Sequence, residues 1–109
     1  MSKELNFAEI IVRSKEIRTM YHELELAHHG SKWSLEEDAL AFLTDAALVG
    51  RLTMSQQGRW PAGTEKDEQL SHKLGESIWW LVILASQMEI DINVALDDFL
   101  SKTEKLLNK

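Results

Sequence analysis

The run Ile78-Trp79-Trp80-Leu81-Val82-Ile83-Leu84-Ala85 constrains this chain more than any other feature. Consecutive apolar side chains leave no face for water, which fits neither an amphipathic surface helix nor a half-exposed strand. The run is also far short of the ~20 residues that a membrane span requires. A helix covered on every side remains. In a chain of 109 residues, enough for one domain over 1–109 and not two, two adjacent tryptophans overfill a single small core. The economical solution is a second copy of the chain across the far face. Trp79 and Val82 then turn to that partner, while Ile78, Leu81 and Ala85 face the chain's own core. The expected state is an obligate homo-oligomer, a homodimer or homotetramer, with this helix at the interface.

Helical periodicity runs through the rest. Phe7, Ile10, Ile11, Ile17, Tyr21 and Leu24 draw one stripe on a first helix, stopped near His28-His29 with Gly30 as its cap. The two histidines sit where a helix's negative end favours positive charge. Ser34-Leu35-Glu36-Glu37 reads as a capping box opening a second helix to about Ser55. Thr64-Glu65-Lys66-Asp67 opens a third that ends near Met88-Glu89, and Asp91 caps a fourth. That last helix has a wide apolar face containing Leu96, Phe99, Leu100, Leu106 and Leu107. The only dense turn signal spans 57–64, and no segment alternates as a strand would. The expectation is an all-α, four-helix bundle.

Composition narrows the function classes. Twelve Lys and Arg against eighteen Asp and Glu give a net charge of −6, without the basic footprint that binds a nucleic-acid polymer. Cysteine is absent, so no disulfide or thiolate site can form. The start of the chain has no apolar signal segment, and a cytoplasmic protein with no membrane partner is expected.

Charges fall where the core should be. On the second helix Asp45 shares a stripe with Ala41, Phe42, Leu48, Val49 and Leu52. On the third, Gln69, His72, Lys73 and Glu76 share a face with Trp80 and Ile83. Antiparallel packing of these helices would bring Asp45, Lys73 and Glu76 together. Two readings follow: an internal salt bridge that fixes helix register, or a site for a divalent cation and phosphate. His72, one turn from Glu76, adds a possible ligand. Trp33, Trp60, Trp79 and Trp80 include candidates for base stacking, and Trp60, beside Arg59 and Pro61 in the loop, is the preferred one.

Leu74-Gly75-Glu76-Ser77-Ile78-Trp79-Trp80-Leu81, with Leu84-Ala85 and then Ile90-Asp91-Ile92, resembles the C-terminal half of MazG-type nucleoside triphosphate pyrophosphohydrolases. Gly30-Ser31-Lys32-Trp33 and the stretch from Ala39 to Val49 are similar to that family's loop and second helix. The resemblance covers about residues 5 to 107. It implies an all-α, four-helix MazG-like bundle completed by homo-oligomerisation. It also implies Mg²⁺-dependent hydrolysis of a nucleoside triphosphate to monophosphate and pyrophosphate, often a house-cleaning role. The family's metal site, two carboxylate pairs, falls on Asp45 with Leu48 and on Lys73 with Glu76. Carboxylates stand at Asp45 and Glu76 only. Glu37, Thr44 or His72 are the replacement ligands within reach of this pattern. The implied site is then Asp45, Glu76, Glu37 and His72 for metal, with Lys73 beside the catalytic carboxylates. Lys102, Thr103 and Lys105 on the last helix, with Trp60, would hold the nucleotide. The alternative is a catalytically degenerate homo-oligomeric nucleotide-binding or scaffold protein of the same fold.

Overall fold

The computed structural model describes residues 4–61 and 66–108. Four helices follow one another: α1 (Phe7–His29), α2 (Leu35–Gln56), α3 (Lys66–Gln87) and α4 (Ile92–Leu107). No strand occurs among the described residues, and none of their helices is singly long and apolar enough to cross a membrane.

Local chemistry sets the boundaries. Asn6 caps α1 by accepting the Glu9 amide at 2.9 Å, and Gly30 ends it at φ +76°, where a side chain would be strained. Ser34 and Glu37 complete a reciprocal capping box on α2, as their spacing predicts: the Glu37 amide donates to the Ser34 hydroxyl, and the Ser34 amide to the Glu37 carboxylate. Asp91 caps α4 by accepting the Val94 amide at 3.1 Å. The Thr64-Glu65 signal lies outside the described residues. Between α3 and α4 the chain turns through Glu89, which adopts φ +59°, and the two helix axes are bent by 108°.

The core is centred on α3, which lies between α1 and α2. Trp80, Val82, Ile83 and Ala85 are its buried apolar residues. The Asp45–Trp80 and Asp38–Gln87 bonds fix an antiparallel register, seven residues up α2 matching seven residues back along α3. That is two turns of each helix, so both stripes stay in register along the seam.

Three expectations about packing are corrected. The tryptophans both fit within one chain, because adjacent residues project about 100° apart and each ring meets a different neighbour. Trp79 turns to α1, where its indole N–H donates to the Ser14 carbonyl at 3.2 Å; Trp80 turns to α2. The apolar run is also turned from the expected orientation: Val82 is buried in the chain's own core beside Ala85, which takes its expected inward place, whereas Ile78 is 56% and Leu81 45% exposed. On α1, Ile17, Tyr21 and Leu24 are exposed, and the line Ser14, Arg18, His22, Glu25 turns inward. A guanidinium with two carboxylate partners accounts for that reversal.

Candidate functional site

Two ionic clusters are built along the α1–α2–α3 junction. In the first, Arg18 is 4% exposed and Asp38 fully buried. Arg18 donates to Asp38 Oδ1 at 2.7 Å and Oδ2 at 3.3 Å, and to Glu25 Oε2 at 2.8 Å. Gln87, from the end of α3, donates to Asp38 Oδ2 at 2.9 Å. Glu25 Oε1 in turn accepts the Trp33 backbone N–H at 2.9 Å and lies 3.3 Å from His22 Nδ1. Burial pulls the Arg18 pKa down, but hydrogen bonds to Glu25 and Asp38 outweigh it and raise it. Glu25 is held below its ordinary value: burial opposes this, and the Arg18 and Trp33 bonds prevail. The sequence reading missed this cluster. Its signal was the four-residue spacing of Ser14, Arg18 and His22, a polar stripe on a helix whose neighbours are apolar.

The second cluster is the one expected from antiparallel packing. Lys73 Nζ donates to Asp45 Oδ1 at 3.0 Å and to Glu76 Oε1 at 2.9 Å. The Trp80 indole N–H occupies the other Asp45 oxygen at 2.9 Å. Burial would raise the Asp45 pKa, but the bonds from Lys73 and Trp80 outweigh it and hold the carboxyl low. Lys73 is raised by Glu76 first and Asp45 second. His72 Nε2 lies 3.8 Å from Glu76 on an exposed side chain. Glu37 is engaged by the α2 cap, eight residues before Asp45 along that helix.

Between the clusters opens a cleft of about 520 Å³. Tyr21, Trp33, Trp79 and Trp80 wall it, His28 and His29 stand at its α1 end, and Arg18, Glu25, Thr44, Asp45 and Glu76 supply polar atoms. Trp79 lies 4.6 Å from Trp80 and 5.8 Å from Tyr21, ring centre to ring centre, so these three form one continuous aromatic surface. Trp60 lies elsewhere. It lines a separate cleft with Leu48, Arg51 and Lys73, and the Arg51 guanidinium covers its ring at 4.1 Å. Lys102, Thr103 and Lys105 sit on α4, and none lines the aromatic cleft of the same chain.

No family model, curated protein or solved structure matches this chain. What the site can do therefore rests on its own chemistry. It offers stacking surfaces for a planar ring, donors and acceptors for the ring's edge, and two carboxylates whose shared cation, Lys73, lines the neighbouring Trp60 cleft.

Proposed function

We propose that this chain is a MazG-like, homo-oligomeric nucleotide-binding protein in which Lys73 provides the positive charge that the resemblance assigns to Mg²⁺. The observation that carries this reading is the ammonium bridging Asp45 and Glu76 at 3.0 and 2.9 Å, beside an aromatic cleft. A base stacked between aromatic faces gains ~1–3 kcal/mol whatever its identity, and Trp33, Trp79 and Tyr21 offer such faces.

The residues present do not fit a divalent cation. Mg²⁺ needs several carboxylate or phosphate oxygens free at once. Here the two carboxylates of the seam already share an ammonium, and one also accepts an indole N–H. Among the described residues, no three His, Asp or Glu side chains converge on a point that could hold a metal. Binding without hydrolysis is the reading that this donor set supports.

The test is a titration of tryptophan fluorescence with a panel of nucleoside triphosphates, with Mg²⁺ and with chelator, alongside an assay for released pyrophosphate. The expected result is saturable quenching indifferent to chelator and no pyrophosphate. Quenching by no nucleotide would overturn the binding reading; Mg²⁺-dependent pyrophosphate release would restore the hydrolase.

A further inference from the structure

The homo-oligomeric reading does not say which surface a second copy covers. We infer that each copy seats its α4 on the outer stripe of the other copy's α3. The inference rests on that reading and corrects the face expected from sequence.

No residue of α4 is buried, although the helix is amphipathic along its whole length. Leu96, Phe99, Leu100, Leu106 and Leu107 form one stripe at steps of three, four and seven residues, with exposures from 39% to 75%. In proteins most of a helix's stability comes from packing its apolar face, and this 16-residue helix has that face unpacked. Within the chain, α4 makes its substantial contact with α3 alone, and the 108° bend keeps it from lying along that helix. A matching receptor is present in the same sequence. Leu74, Ile78 and Leu81 are 48%, 56% and 45% exposed and share one face of α3.

A chain that carries both stripes can satisfy them reciprocally about a two-fold axis. At about 200 Å² per fully exposed large side chain, the two stripes together present about 800 Å² per protomer, the share of a standard stable interface. The single chain is also open: its Cα radius of gyration is 16.6 Å, against about 13 Å for a compact chain of this length. An anionic lipid surface fits less well. The polar side of α4 carries Asp97, Asp98 and Glu104 against Lys102 and Lys105, on a chain of net charge −6.

Light scattering at micromolar concentration should give a multiple of the 12.5 kDa chain mass, and Phe99→Glu should reduce it to 12.5 kDa. Because that change could melt α4 itself, a second measurement reads the geometry. The chain has no cysteine, so Phe99→Cys and Ile78→Cys proteins can be mixed and oxidised with glutathione disulfide. The expected product is a linked pair containing one of each variant. A parent protein of 12.5 kDa would overturn both the oligomer and the seating of α4. An oligomer that survives Phe99→Glu, with no mixed link, would overturn the seating alone. Binding of a monomer to anionic vesicles through α4 would overturn it too.

Discussion

Replacing Lys73 with methionine keeps the aliphatic stem along the α2–α3 seam and removes only the ammonium. Asp45 and Glu76 are then left facing one another with no cation between them. The side chains of Lys73, Asp45 and Glu76 are 26%, 13% and 27% exposed. They lie between surface pairs, worth about 0.2–1 kcal/mol, and buried pairs, whose breaking costs about 3–5 kcal/mol. A loss of about 2 kcal/mol follows, which lowers Tm by roughly 10 °C in a domain of this size. Far-UV circular dichroism melts at fixed protein concentration read it, with Lys102→Met on exposed α4 as an unchanged control. Mg²⁺ adds a second arm. Millimolar Mg²⁺ should leave the parent Tm where it is and recover part of the loss in Lys73→Met, where the two carboxylates become available to it. A variant that melts within about 1 °C of the parent would refute the reasoning. So would a parent stabilised by Mg²⁺ as strongly as the variant.

Arg18→Met should be more severe, about 3–5 kcal/mol by urea unfolding, because it strands the fully buried Asp38 and the half-buried Glu25. Gly30→Ala should cost about 1 kcal/mol through backbone strain alone, since no atom lies within 4 Å of the added methyl; Gly50→Ala, helical and equally open, should be neutral or stabilising. Asp45 and Glu25 have folded pKa values below their unfolded ones. Their contribution is complete above about pH 5 and is lost as pH falls through the folded values, so the urea midpoint should drop on acidification, with a shallower slope in Asp45→Asn.

Punctuation was the most legible part of the sequence. Ser34 with Glu37, Asp91 and Gly30 mark helix ends because each acts on backbone groups only a few residues away. The meeting of Asp45, Lys73 and Glu76 was legible for a related reason: each lies on an apolar stripe, and two stripes in antiparallel contact carry their polar interruptions into each other. The inward face of α1 was not legible. Periodicity counts apolar positions, so Ile17, Tyr21 and Leu24 outweighed Ser14, Arg18 and Glu25. What decided the outcome was Asp38, twenty residues on, which makes an inward guanidinium tolerable. The fate of Trp79 was hidden likewise, since its N–H acceptor is the backbone carbonyl of Ser14, on another helix. The base-stacking preference for Trp60 could not foresee Arg51 lying over its ring.

The contacts Gln87–Asp38–Arg18–Glu25–Trp33 run unbroken from the tip of α3, through α2 and α1, to the loop that walls the cleft. Mechanically this is one brace, set beside the Lys73–Asp45–Trp80 contacts two turns away on the same seam. Slack at any joint is transmitted to the next, so Gln87 and Asp38, which do not line the cleft, bear on its width through Arg18, Glu25 and Trp33, which do. Substitutions drifting in at Gln87, on the far end of α3 and outside the cleft lining, would therefore be felt as looseness at Trp33. The freedom of this surface to vary is smaller than its exposure suggests.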